Sequence, residues 1–472
     1  MHAPVESLAK DAPPDKPRRE WLISIPYLLL RGTTAAGAFA MGFVQTFVFA
    51  RILDPERFSV FIVTAAVGYS LWITDLGLAK IAFVNLRKPH LAGKQDDEAA
   101  RQAGAVILFY ILLSVASALV CLAVDLVRHG WSPHGPSVNE SIDLSLFLLF
   151  IALNLAWFSL RTVSIAVDLF VYYERLELVR RVVNIASLLA MLVGLPLTVF
   201  LVGSNLLWAA LFTAAMTKLV RRGALVLHVR GFVRELTDFF RANWHAVSRS
   251  STGALSGLFV ATFPYYIVPI AFGMGSAPII LDTVFKIFRG ACVIFAAVCD
   301  LAIPGQTRAF NARDARRLVL TTLIAVGLCA IPALGASGLL IFGGKELYAF
   351  LLRTAATVPP TVTPIVVALL LASVLQIVAE ALLQYTGYFR FLALNGIIVV
   401  VMMVIATVVA FAMKFGLVGF LAAYAIAYCL GALSLTALAI LGPFAATAAL
   451  PGEKPTLRGL LKAMRAARQV AT

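Results

Sequence analysis

The chain has 472 residues, 61% of them hydrophobic and 13% charged, with a formal net charge of +15 and a mean hydropathy of +0.92. That composition excludes an ordinary soluble domain. The positive charge follows a membrane-topology pattern, set out below, and gives no reason to expect a nucleic-acid partner.

Residues 1–20 mix acids, prolines and basic residues and read as a disordered cytoplasmic tail without a cleavable leader pattern. Beyond them, stretches free of Asp, Glu, Lys and Arg recur at 32–50, 58–74, 102–124, 182–217, 250–281, 318–344, 354–379, 391–413 and 415–452. A spanning helix needs about 20 apolar residues, so the longest stretches hold two. Gly203-Ser204-Asn205 divides one of them and the Gly- and Pro-containing run 272–278 another. Twelve spans are predicted near 26–50, 58–84, 103–125, 143–170, 182–202, 205–220, 251–271, 279–303, 318–342, 362–386, 391–413 and 417–441. The chain is therefore expected to be an all-α integral membrane protein. A β-barrel would show short alternating strands instead.

The spans divide into 21–220 and 251–441, six in each, which suggests two structural repeats. Small-residue runs at 32–37 and 250–257 open the two halves and faintly echo one another. The segment 221–250 reads as a linker that forms a basic amphipathic helix, with Arg221, Arg222, Arg230, Arg234, Arg241 and Arg249 among Leu and Phe. The tail 442–472 is also basic. Both suit the anionic lipids of an inner leaflet. When loops are assigned alternately, one side collects 29 of the 39 Lys and Arg, and the other six. That bias places both termini in the cytoplasm of a multi-pass inner (plasma) membrane protein.

The remaining four cations, Arg31, Arg161, Lys286 and Arg289, fall inside spans. A charge at the bilayer centre costs about 2.5–3.5 kcal/mol even on lenient scales. Four of them suggest a water-filled cavity that receives an anion, and Arg suits the bidentate geometry of a pyrophosphate. Asp282, Lys286 and Arg289, spaced by four and three, share one helical face. Arg289 would lie roughly 15 Å deep at 1.5 Å per residue. An internal Asp282–Lys286 pair, and snorkelling of Arg31 and Arg161 to the interface, are the structural alternatives. Asp75, Asp300 and Glu380, with Asp282, are candidates for binding a coupling H+ or Na+. Asp168 is a further acid near a span end. Pro264 and Pro269 would bend the seventh span and are gating candidates.

Enzyme signatures are missing. The five cysteines lie in spans without metal-ligand spacing, and the sequence holds no G-x-x-x-x-G-K-[ST], H-E-x-x-H, G-x-S-x-G or C-x-x-C pattern. No catalytic residue, metal or cofactor is expected.

With these residues named, the chain resembles the polysaccharide (O-antigen-type) flippases of the multidrug/oligosaccharidyl-lipid/polysaccharide exporter superfamily. The resemblance rests on the turn from Phe49-Ala50-Arg51 to Ser59-Val60-Phe61, on Asp75-Leu76-Gly77-Leu78, and on the eighth span with Lys286 and Pro304. Asp54 and Ser59 stand where the family's turn has glycines, and the chain lacks a thirteenth and fourteenth span. The resemblance implies two six-helix bundles forming a V that opens alternately to each side. It also implies transport of a polyprenyl-pyrophosphate-linked oligosaccharide, in company with a polysaccharide polymerase or export complex. A cation-coupled drug antiporter of the same superfamily is the main rival, although the first span holds no acid. A non-transporting scaffold for glycan assembly is the other.

Overall fold

The computed structural model describes residues 25–71, 78–91, 96–131 and 137–448. The two charged tails lie outside these residues. The elements are α1 (Ile25–Ile52), α2 (Pro55–Ser70), α3 (Leu78–Leu91), α4 (Asp97–Trp131), α5 (Val138–Ala166), α6 (Phe170–Ala190), α7 (Leu197–Arg221), α8 (Phe232–Phe272), α9 (Ser276–Asn311), α10 (Ala315–Leu352), α11 (Val362–Tyr385), α12 (Phe389–Ala412), α13 (Leu417–Ala439) and, after a five-residue π-helical turn, α14 (Ala445–Ala448). Local chemistry sets several starts. Asp54 caps α2 by accepting from the Arg57 N–H, with Pro55 at the first helical position. Ser137 and Glu140 form a reciprocal capping box at α5.

Among the described residues nine helices are long and apolar enough to cross a membrane. The rest of the twelve passes come from helices that are short or charged. α2 and α3 are 16 and 14 residues long and together make one pass. α6 carries Glu174, Arg175, Glu177, Arg180 and Arg181. α9 carries Asp282, Lys286 and Arg289. The described residues are all-α, and their helices accommodate the twelve passes expected.

Much of the basic linker is helical, as its pattern suggests, but it is not a separate element. Residues 232–250 are the first part of α8, which continues unbroken into the seventh pass. The small residues at 250–257 include Gly253 and Gly257 but no proline, so the backbone ladder continues through them and nothing separates the basic segment from the span. The chain instead turns at 222–231, where the Val226 N–H donates to the Ala100 carbonyl at 3.2 Å.

Helix packing repeats between the halves. In the first half, α4 packs on α5, α5 on α7, and α1 on α6; in the second, α10 packs on α11, α11 on α13, and α8 on α12. The passes alternate, so the α1–α2, α4–α5, α6–α7, α8–α9, α10–α11 and α12–α13 turns share one face, here called distal. The start of α1 and the other turns lie on the proximal face. One apolar core joins the halves and includes Phe49, Phe58, Phe61 and Phe147 with Val284, Phe285, Ala333, Leu352 and Phe420. Toward the proximal face there are two separate cores. Leu78, Ile107, Tyr110, Leu160 and Phe239 form one, and Leu318, Leu382 and Leu435 the other. The two bundles therefore meet distally and diverge proximally, as a V does.

Candidate functional site

Two clusters of buried charge lie where helices meet. The first is on α9. Lys286 Nζ lies 2.6 Å from Asp282 Oδ2 and donates to Thr46 Oγ1 of α1 at 2.9 Å. The Tyr265 hydroxyl of α8 donates to Asp282 Oδ1 at 3.2 Å. The Lys286 charge is thus matched by its own helix neighbour, and the pair is tied to both halves.

Arg289, one turn further on, has no such match. Among the described residues no carboxylate lies within ion-pair distance of it. Its Nη2 donates to the Ala261 carbonyl of α8, and its buried Nε has no partner. Three rings surround the guanidinium, with centroids at 5.0 Å (Tyr265), 5.5 Å (Tyr69) and 5.5 Å (Phe285) from Cζ. Aromatic faces attract a cation but leave its N–H groups available. Pro264 helps to set this geometry. It lacks the N–H that would otherwise bond the Val260 carbonyl. That carbonyl accepts instead from the Tyr424 hydroxyl of α13 at 3.1 Å, next to the Ala261 carbonyl that Arg289 uses.

The second cluster joins α5, α6 and α1. Arg161 Nε lies 3.3 Å from Glu174 Oε1, and Thr34 Oγ1 donates to Glu174 Oε2 at 2.7 Å. Glu177 accepts from Arg180 Nε at 2.8 Å, Arg180 Nη2 at 3.1 Å and Arg181 Nε at 2.7 Å. Arg180 also donates from Nη1 to Asn154 Oδ1 at 2.9 Å and lies over the Trp157 ring. Pairing is what makes such burial tolerable, because an isolated ion would forfeit its hydration. Three guanidiniums nevertheless share two carboxylates here. Arg181 is about a quarter exposed, at 24% of its side chain.

Sequence reading missed Glu174, Glu177, Arg180 and Arg181, because it placed 175–181 in a connection. The signal was their spacing of three, three and one, which puts them on one face of a helix. Val179, Val182 and Val183, which are 46%, 57% and 41% exposed, form the opposite face. α6 is amphipathic with its charges turned inward.

The other sequence candidates scatter. Arg31 lies on α1 and Asp300 on α9, but their side chains are outside the described residues, as is Asp75 altogether. Asp168 sits outside the spans, in the α5–α6 turn with φ 58°. It pairs there with Arg87 at 2.8 Å and His90 at 3.1 Å. Burial raises its pKa, but the hydrogen bonds from Arg87 and His90, with the Arg87 charge, outweigh that and leave it below the usual carboxylate value. Glu380 lines a cavity of about 340 Å³ between α9 and α11, with Cys292, Cys299, Gln384 and Tyr385. Pro269 lies within α8, one turn and a half beyond Pro264.

No protein-family model and no curated protein matches the chain. Solved structures do. A multidrug-resistance MATE family transporter of the MOP superfamily, in an inward-facing conformation, aligns with a TM-score of 0.64 at 14% identity, over 89% of this chain and 98% of that one. The chain has the fold of these transporters. A MOP superfamily transporter from Pyrococcus furiosus, described as having a binding pocket of reverse polarity, aligns at 0.60 and 12% identity, over 89% of this chain and 94% of its own. The eukaryotic MATE transporter AtDTX14 aligns at 0.54 and 10% identity, over 93% and 97%. The two-lobe MATE-like architecture expected of this chain is confirmed, and at these identities the likeness is one of fold.

Proposed function

We propose that the chain is an inner-membrane flippase that carries a polyprenyl-pyrophosphate-linked oligosaccharide from the cytoplasmic to the outer leaflet. One observation carries this reading. Each half carries a buried basic cluster, Arg289 without a carboxylate partner in the second and Arg180 and Arg181 around the single carboxylate of Glu177 in the first, and on this reading both face one chamber. A diphosphate is the ligand that a planar, unmatched guanidinium holds best. Among the four cations singled out in the sequence, Arg289 is then the principal contact. Lys286 and Arg161 act through their carboxylate partners, which an anionic headgroup would have to displace. Movement needs no bond chemistry, only alternating access of the chamber and a bias from ion coupling or from removal of product.

The proximal face is the cytoplasmic one on this reading, as the excess of Lys and Arg there requires. Trp244, Val229 and Val233 are 60–72% exposed beside Arg230, Arg234 and Arg241. That combination suits anionic lipid at the inner interface. Export or polymerase proteins that consume the flipped glycan are the expected partners.

A second reading, cation-coupled drug efflux, is favoured by Glu380 in its largely apolar groove in the second half. Depletion of the protein in its host separates the two. The flippase reading expects a polyprenyl-pyrophosphate oligosaccharide to accumulate, identified by mass spectrometry of extracted lipids. An unchanged lipid pool together with loss of cation efflux would transfer the assignment to the antiporter.

A further inference from the structure

At the distal face the two halves are joined by groups that helix ends leave without partners. α10 ends at Leu352, and its last four carbonyls lack intrahelical donors. Two find them locally: Ala349 accepts from the Arg353 N–H and Leu352 from the Ala355 N–H, each at 2.9 Å. The other two are satisfied from the opposite half. Arg51, in the last turn of α1, donates from Nη2 to Phe350 at 2.6 Å and from Nη1 to Leu351 at 3.1 Å. The same guanidinium holds the Phe47 carbonyl at 2.8 Å and lies 3.5 Å from the centroid of the Phe47 ring, which packs on Phe350. A cation at this point also meets the negative end of the α10 dipole.

The second joint is made by α2. Ser59, fully buried, donates to the Gly275 carbonyl at 2.7 Å and accepts from the Gly275 N–H at 2.9 Å. Gly273 and Gly275 have φ of 80° and 127°, conformations natural only to glycine. They turn the start of α9 toward Ser59.

We propose that Arg51 and Ser59 form a latch that holds the two halves together at the distal face, and that the chamber opens on that side only when both let go. The two joints differ in a way that orders the release. Arg51 and Phe350 are partly exposed, so water can take over their hydrogen bonds as they part, and the exchange costs little. The Ser59–Gly275 pair is dry, and it parts only once the seam behind it is wetted. The inference is independent of the cargo and would hold for an antiporter equally.

The test places spin labels on the full-length chain in lipid nanodiscs, with its five cysteines replaced. One label replaces Val193 in the first half and the other Met413 in the second, both exposed at the distal face (87% and 63%). Pulsed electron resonance then reads the distance between them. Arg51→Gln is expected to raise the population of the long-distance, distal-open state by on the order of tenfold, the worth of one or two charge-assisted hydrogen bonds. Arg51→Lys keeps the charge but cannot bridge two carbonyls, and should give a smaller shift. Ser59→Ala alone tests the second joint without altering any charge. An unchanged distance distribution in both Arg51→Lys and Ser59→Ala would overturn the latch, even if Arg51→Gln does not accumulate.

Discussion

Arg289 and Glu177 show how differently two charges at similar depth are used. Glu177 satisfies two guanidiniums at once, and its removal would leave the buried Arg180 without a carboxylate, held only by Asn154 and the Trp157 ring. Arg289 has one carbonyl, three rings and an unsatisfied Nε. Arg289→Ala is therefore expected to leave insertion and thermal stability nearly unchanged, within about 1 kcal/mol, while cutting transport by at least about tenfold. Glu177→Ala should cost about 3–5 kcal/mol, the usual penalty for breaking a buried pair. Thermal unfolding of the purified variants and complementation in the host read the two effects separately. Full complementation by Arg289→Ala would remove the anion site on which the proposed function rests. The α9 cluster was legible in the sequence because Asp282, Lys286 and Arg289 interrupt an apolar run at helical spacing. The α6 cluster was not, because its charges fall at the start of a helix, where a span and a basic loop look alike.

At the scale of the element, α8 is the helix on which the site depends, and Pro264 is its least replaceable residue. The sequence pointed to a bend, but a proline says nothing of who receives the carbonyl it frees. Only the packing shows that Tyr424 takes Val260 and Arg289 takes Ala261. Pro264→Ala restores an N–H that competes for Val260. The regular ladder then gains up to about 3 kcal/mol, while α13 loses its hold on α8. A higher unfolding temperature with slower transport is the expected result. Normal transport in this variant would reduce Pro264 to a packing feature. The same helix joins the basic linker to the span. Hydropathy divides it near residue 250, yet backbone hydrogen bonding is indifferent to where the bilayer begins, so the basic segment and the seventh pass are one rod.

Across the whole molecule the halves meet along α1 and α9, and one tight point of that seam is a glycine. In lipid, apolar contact offers no gain over lipid tails, so helices pack tightly only where small residues let them. A Cβ on Gly290 would stand 1.9 Å from Phe39 Cδ2, and one on Gly42 would just touch the Lys286 stem at 3.9 Å. The seam is thus fitted at residue 290 and roomier at 42, and both flank the Lys286–Thr46 bond that links the halves. Gly290→Ala should destabilise the distally closed form by about 1–3 kcal/mol, the cost of overpacking, without touching the fold of either half. The expected signature is a population shifted toward the distally open state. Phe39→Leu, which removes the offending ring, should restore it. The two substitutions share one contact, so their effects must be strongly non-additive. Additive effects would mean that α1 and α9 do not meet at residue 290 in the membrane, and the convergence of the two halves at the distal face would then need another seam to hold it.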